Sequence, residues 1–449
     1  VYPGVCLATH SAPANKVRNA AHWSSYTNPI AASSNPSIFL SAGEASGDHY
    51  GAQIIAEHRR RHPGATFTGL GGLEMEAAGQ TRIVRAEDVA HMGITEVLRH
   101  APNIYRQYRR LVGSIRRDPP ALGILIDFPD VNFRLAKHLR QMGVPVLWFV
   151  SPQLWAWKRR RLRWVQQRVD RMLVIFPFEA SFYRARGVEA RFVGHPLAAQ
   201  LAPEVTRAEY GARHHLNPLN LWISLLPGSR ISEIQNNLPA MLDGVTQLCN
   251  QQTGKQYDLI IPVASTISPG QLLTIRTSLK PLLNPTPNTS VHFVQDARAA
   301  LFHSRAAVVA SGTATVQALT IGNPFIVVYR VSPLTFTLAK RLVRYPSEIP
   351  APPDAHGNLP IAMPNLIAGR RIVPELLNEH FTPQSVAAAL GPLLDDTHAR
   401  EQMILDLAEA RTRLAPPSGS DPIQQICDTA EELLARPAGV YTATAFSNV

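Results

Sequence analysis

Cysteine is scarce. The three residues, Cys6, Cys249 and Cys427, are odd in number and far apart. They suggest neither a disulfide framework nor a zinc site, and they favour a reducing compartment. Long apolar runs are missing too. The longest, such as 144–150, span about seven residues, against the roughly 20 needed to cross a bilayer, so no membrane-spanning helix is expected. No G-x-S-x-G elbow appears, no Gly-Lys-Ser/Thr follows a glycine-rich turn, and no His, Cys, Asp or Glu cluster has metal-ligand spacing. A hydrolase nucleophile, a P-loop nucleotidase and a metal centre are therefore not expected. Acidic residues are the minority, 33 Asp and Glu against 44 Lys and Arg.

What is present is a chain of 449 residues, 45% of them apolar, with 27 Gly and 37 Pro. That suits two or three domains with cores of their own. The basic excess is confined to one half. Residues 1–200 carry 26 Lys and Arg against 14 Asp and Glu, whereas the remainder carries 18 against 19. A polyanionic partner is implied for the first half: nucleic acid, an anionic membrane surface or a phosphorylated substrate.

Residues 1–35 show no sustained period and lack the basic start and apolar core of a secretory signal. They are expected to be a disordered extension. From Pro36 onward, aliphatic runs end in Gly, Ser, Pro or Asp and lead into helical patterns. They are 37–40, 122–126, 145–150, 172–176, 221–226, 259–263, 306–310 and 325–329. This alternation predicts an α/β protein with two doubly wound, parallel-sheet domains. The expected divisions are 36–197, a linker over 198–216, a second domain over 217–419, and a helix and tail over 420–449. The stretch 345–360 is too rich in proline for a helix. Ligands of open parallel sheets bind beyond the carboxyl ends of the strands, so those loops are the candidate site.

Four such loops carry chemistry. The first, Gly43-Glu44-Ala45-Ser46-Gly47-Asp48, opens a helix whose free N–H groups would suit an anion. Its glycines lack dinucleotide spacing, and Asp48 capping the helix is the plainer alternative. The second places Asp127 directly at a strand end. A general base belongs there, partly desolvated so that its pKa rises. Asp130 is better placed to cap the following helix. The third, Gly228-Ser229-Arg230, sets a cation at a helix start, which the helix dipole opposes unless an anion such as a diphosphate lies between. A solvated surface arginine is the other reading. In the fourth, Ser311-Gly312-Thr313 is a hydroxyl-rich helix start, and Gln317 one turn on could face a ribose. The Trp/Arg stretch 155–164 could stack on bases or meet a lipid interface, or be a charged helical face with one packed Trp. His195 reads as a structural or cleft-lining residue. Nucleic-acid binding is disfavoured, because it leaves the two phosphate-type loops of the second half without a purpose.

In this order the loops resemble the lipid-A-disaccharide synthase family. The matching stretches include SAGEASGDHYGA (41–52), HMGITEVL (91–98), IDFPDVNF (126–133), SPQLWAW (151–157), PFEASFY (177–183), LLPGSRISEI (225–234), ASGTATVQ (310–317) and MPNLIAGRRIVPELL (363–377). The resemblance spans roughly residues 37–435. It implies a GT-B fold, two Rossmann-like domains facing across a cleft, and an inverting glycosyltransferase that needs neither metal nor cofactor. The implied donor is UDP-2,3-diacylglucosamine and the implied acceptor is 2,3-diacylglucosamine 1-phosphate (lipid X). Asp127 would be the base. Gly228, Ser229, Arg230, Ser311, Gly312, Thr313, Gln317 and Asn365 would hold the nucleotide, and the loop with Gly43, Glu44, Ser46, Gly47 and Asp48 would lie on the acceptor side. The resemblance also implies a cytoplasmic enzyme resting peripherally on anionic inner-membrane lipids through 92–98 and the arginines of 99–117. It implies no nucleic-acid partner and leaves homo-oligomerisation open. Gln317 stands where the family usually has Glu.

Overall fold

Strands form where β-branched and aliphatic residues run together, and most lead into a helix that returns the chain to the next strand. A computed structural model describes residues 35–436, apart from 91–93, 201, 253, 265, 285 and 418. The expected extension, up to residue 34, and the tail after Pro437 lie outside the described residues. The first sheet contains β1 (Ser37–Ala42), β2 (Thr66–Gly71), β3 (Gln80–Arg85), β4 (Leu122–Ile126), β5 (Val146–Phe149), β6 (Arg171–Val174) and β7 (Ala190–Phe192). Their spatial order is β3-β2-β1-β4-β5-β6-β7. The second sheet contains β8 (Leu221–Leu226), β9 (Tyr257–Pro262), β10 (Thr289–Val294), β11 (Ala306–Ala310), β12 (Phe325–Tyr329) and β13 (Glu375–Leu377), in the order β10-β9-β8-β11-β12-β13. Every strand pairing is parallel.

Both sheets reverse their winding next to the first strand of the set. β1 lies between β2 and β4, and β8 lies between β9 and β11. The crevice at such a reversal is where open parallel sheets take ligands. The expected loops after β1 and β4 are therefore neighbours, as are those after β8 and β11. Helices cover the sheets, so central strands such as β4 and β9 are buried along their whole length and read as unbroken apolar runs.

The two halves are tied together. The segment 198–216 is more than a linker. Its helix Arg207–His214 packs on the second half, with the Tyr210 hydroxyl donating to Gln295 O at 2.8 Å and the Arg207 guanidinium 3.7 Å from the Trp222 ring centre. The proline-rich stretch reaches back to the first half. There Tyr345 meets Trp155 with ring centres 5.5 Å apart, and Glu348 pairs with Arg186 at 2.8 Å. The last helix, Pro422–Leu434, crosses to the first half as well. Its Asp428 pairs with Arg61 at 2.6 Å, its Gln425 amide donates to Val193 O at 3.2 Å, and Ile426 and Ala430 are fully buried. Among the described residues no helix is long and apolar enough to cross a membrane.

If this last helix is part of the first half's core, Ile426→Asp buries an uncompensated carboxylate and should cost several kcal/mol. Exposed Gln424→Ala should be neutral. Equal chemical-denaturation midpoints for the two variants would show that the helix is dispensable.

Candidate active site at the two sheet crevices

Parallel pairing of β1 with β4 sets Ala42 beside Ile126, so the loops that follow meet. The Asp127 N–H continues the sheet by donating to Phe149 O at 2.9 Å. The chain then turns sharply. Asp127 and Phe128 both adopt left-handed backbone, with φ of 43° and 47°, a conformation costing about 1 to 3 kcal/mol per non-glycine residue. Asn132, wholly buried in the next helix, holds the turn. Its amide nitrogen donates to Asp127 O at 2.8 Å and Ile126 O at 3.1 Å, and its oxygen accepts from the Ser41 hydroxyl at 2.7 Å. One side chain thus fastens β1 to the end of β4.

The turn pushes the Phe128 ring over Gly43. A Cβ there would lie within 2.5 Å of the ring, so this close approach requires glycine. The Asp127 carboxyl is left in a sheltered recess. Burial, and then the charge of nearby Glu44, lifts its pKa to about 7, against one opposing hydrogen bond from the Phe128 N–H. An aspartate that exchanges its proton near neutral pH is suited to general-base work.

On the second sheet, β8 pairs with β11, which brings Gly228-Ser229-Arg230 beside Ser311-Gly312-Thr313. Gly228 has φ of 124°, and a Cβ there would collide with the Glu233 carboxylate. That carboxylate lies across the start of helix Ile231–Gln251. It accepts from the Ser229 N–H at 2.9 Å, from the Arg230 N–H at 3.3 Å and from the Arg230 guanidinium at 2.9 Å. Arg230 is otherwise 73% exposed. The anion expected between this cation and the helix is thus supplied by the chain itself. Helix Thr313–Ile321 starts without a side-chain cap and its Thr315 N–H bonds back to Gly312 O at 3.0 Å, so the Thr313 and Ala314 N–H groups are the ones left for an anion.

A sequence profile of the family described as lipid-A-disaccharide synthetase matches residues 38–416. The lipid-A-disaccharide synthase of Acidobacterium capsulatum is 50% identical over 91% of this chain and 99% of its own. That of Koribacter versatilis is 44% identical over 84% of this chain and 93% of its own. The chain belongs to the lipid-A-disaccharide synthase family. It is accordingly a glycosyltransferase. Two solved structures share the fold at low identity. A Staphylococcus aureus MnaA–UDP co-structure has a TM-score of 0.58 at 12% identity, covering 89% of this chain and 97% of that one. The calicheamicin glycosyltransferase CalG4 has a TM-score of 0.51 at 17% identity, covering 90% and 99%. The architecture is the GT-B arrangement of two parallel-sheet α/β domains.

Several residues quoted for the lipid-A-disaccharide synthase family sit elsewhere than expected. Asp48 does not cap its own helix, and its carboxylate is not open to a ligand. It accepts from the N–H groups of Gly72, Glu74 and Met75 at 2.7, 3.0 and 3.2 Å, so it starts the short helix Leu73–Ala77 instead. Asp130 is not a cap either, because Pro129 already occupies the first helical position. It pairs with Arg161 at 2.7 Å. Asn365 is buried with its amide fully engaged. It donates to Val373 O and Glu375 at 3.0 and 2.7 Å, and it accepts from the Ile372 and Val373 N–H groups at 2.7 and 3.0 Å. It can shape the loop but has nothing left for a nucleotide. Gln317 is half-buried one turn into helix Thr313–Ile321. Gly47 is buried and Ser46 exposed.

Glu179, His58, His62 and Glu431 had no expected role, whereas His195 was expected to be structural or cleft-lining. Fully buried Glu179 accepts from the Ser151 hydroxyl at 2.8 Å and the Trp155 indole at 3.0 Å, and burial lifts its pKa to about 7. It anchors 151–155 where the halves touch. His195 is structural. Burial lowers its pKa to about 4, and its Nδ1 accepts from the Leu197 N–H at 3.1 Å. Among the described residues, His58, His62 and Glu431 lie close enough to share an ion. Glu431 already pairs with His62 at 3.0 Å and Arg61 at 3.4 Å, so the group serves as a tie for the last helix.

Asn132 is testable as the clamp on the Asp127 turn. Asn132→Ala should lower stability by about 2 to 4 kcal/mol, through unpaired buried carbonyls and a relaxed turn. Turnover should fall even at temperatures where the variant remains folded. Full turnover with wild-type melting would remove Asn132 from this role.

Proposed function

We propose that the chain transfers 2,3-diacylglucosamine from UDP-2,3-diacylglucosamine to the 6-hydroxyl of 2,3-diacylglucosamine 1-phosphate. The products are a β-1,6-linked disaccharide 1-phosphate and UDP. The observation that carries the assignment is Asp127, a sheltered carboxylate poised near neutral pH at the crevice of the first sheet. As the acceptor O6 attacks the anomeric carbon, its proton passes to Asp127. The bond from that carbon to the diphosphate breaks, and the electron pair leaves with UDP. Attack opposite the leaving group inverts the anomeric centre. Arg230 and the open start of helix Thr313–Ile321 would stabilise the charge growing on UDP. Gly228, Ser311, Gly312 and Gln317 border the same crevice, with Gln317 offered to the ribose.

Helix Ile94–Arg117 is the proposed membrane contact. Arg106, Arg109, Arg110, Arg116 and Arg117 are exposed on it and Tyr105 is 59% exposed, while Leu111, Val112 and Ile115 face the core. A cationic face with an aromatic suits the anionic lipids of a cytoplasmic leaflet. Of the expected contact 92–98, residues 92 and 93 and the side chains of 94–98 lie outside the described residues.

With both acylated substrates and mass-spectrometric detection, wild-type protein should release UDP and disaccharide in equal amounts. Asp127→Asn should reduce turnover by about 10²- to 10⁴-fold while calorimetric UDP affinity persists. Because a protonated Asp127 cannot accept the O6 proton, wild-type kcat/KM should fall as pH drops below about 7. A flat profile from pH 8 to 5 would eliminate Asp127 as the base. Arg230→Ala should weaken UDP binding about tenfold or more, and unchanged affinity would refute that placement. For the membrane face, joint Glu substitution of Arg106, Arg109 and Arg110 should abolish salt-sensitive binding to phosphatidylglycerol vesicles. Unaltered binding would move the contact elsewhere.

A further inference from the structure

Helix Ala45–Arg61 ends on two histidines one turn apart. The His62 N–H donates to His58 O at 2.8 Å, so both side chains project from the same face of the last turn. Their ring centres are 4.9 Å apart. Helix Pro422–Leu434 packs against this helix and brings Glu431 to the pair, with a carboxylate oxygen 3.0 Å from His62 Nε2. One ligand atom each from His58, His62 and Glu431 lies within 4.8 Å of the other two. Sequence spacing does not reveal this cluster, because Glu431 lies 369 residues beyond His62.

His58 is the member without an explanation. It is 1% exposed and meets the Phe67 ring edge-on at 5.8 Å. Neither of its ring nitrogens has a hydrogen-bond partner among the described residues, a costly state for a buried polar group. Burial keeps the ring uncharged at neutral pH, which is the form that ligates metals.

The surroundings favour a further cation. Three carboxylates, Glu57, Asp428 and Glu431, face two guanidinium groups, Arg60 and Arg61. Arg61 is held by Asp428 at 2.6 Å and Glu57 at 2.8 Å, and Glu431 is its most distant partner at 3.4 Å. Glu431 can therefore turn to another cation without leaving Arg61 unpaired. The side chains of His62 and Glu431 are 36% and 37% exposed, which gives an ion a way in and leaves space for water as a fourth ligand. Two imidazoles and one carboxylate suit Zn²⁺, whereas Ca²⁺ and Mg²⁺ prefer oxygen ligands throughout.

We propose that His58, His62 and Glu431 form a zinc site that pins the last helix to the helix following the first crevice loop. The ion gives one His58 nitrogen its partner and strengthens the return crossing from the second half to the first. The transfer reaction proposed above uses none of these residues, so the site is structural.

The full chain, stripped with a chelator and titrated with Zn²⁺ against a chromophoric indicator, should take up about one equivalent at about micromolar free zinc or below. Its melting temperature should rise by about 3 °C or more at saturation, and Mg²⁺ should give no rise. His62→Ala and Glu431→Gln alter partly exposed side chains, so both should fold. Each should weaken zinc affinity about 100-fold and lose the thermal shift. Asp428→Asn breaks the ion pair with Arg61 but keeps all three ligands, and should bind zinc as wild type does. Co²⁺ in place of zinc should give the intense visible absorption of a tetrahedral site in wild type but not in Glu431→Gln. Uptake only at about millimolar zinc, or equal uptake by wild type, His62→Ala and Glu431→Gln, would overturn the site.

Discussion

The contact on which the geometry of the proposed active site depends is the amide of Asn132 against the end of β4. Two consecutive left-handed residues, one of them aromatic, would relax if the chain were free. Asn132 prevents this by bonding the carbonyls of both Ile126 and Asp127 while its own oxygen is held by Ser41. The result is a carboxyl that leaves the sheet in a fixed turn and is largely buried. Glu44 adds a like charge nearby. Desolvation and repulsion both favour the protonated form, which raises its pKa to about 7 and suits the base role proposed for it.

The alternation of aliphatic runs and helices was legible in the sequence because the central strands are buried on both faces. All eight runs read from it are strands. The strands that escaped notice lack that signature. β2 (TFTGLG) contains two glycines, β3 (QTRIVR) carries two arginines at a sheet edge, and β7 and β13 are three residues each. β10 (TSVHFV) alternates and is only half-buried at its own edge. Their place in the sheet comes from neighbours distant in sequence, which local pattern cannot register.

The candidate site was legible to the extent that strand ends mark it. Asp127 could be picked out because it directly follows five apolar residues. What a polar side chain bonds to is another matter. Asp48 and Asn365 share motifs with open loop residues, yet three N–H groups take up the first and four hydrogen bonds take up the second. Asn132 and Glu179 lie inside recognisable motifs, but their importance comes from backbone and indole groups that only the folded chain brings near. A buried amide two residues beyond a strand-end Asp-x-x-Asp was the one available hint.

The Glu233 carboxylate has a consequence for which anions this fold admits. It already neutralises Arg230 and takes up the Ser229 and Arg230 N–H groups just ahead of its helix, so a newcomer gains only the difference between itself and a resident that never has to diffuse in. Chloride or a lone carboxylate offers little beyond what is already there. On the proposed reading, a diphosphate, with more oxygens and a second helix start beside it, is the class of anion that would displace the tenant.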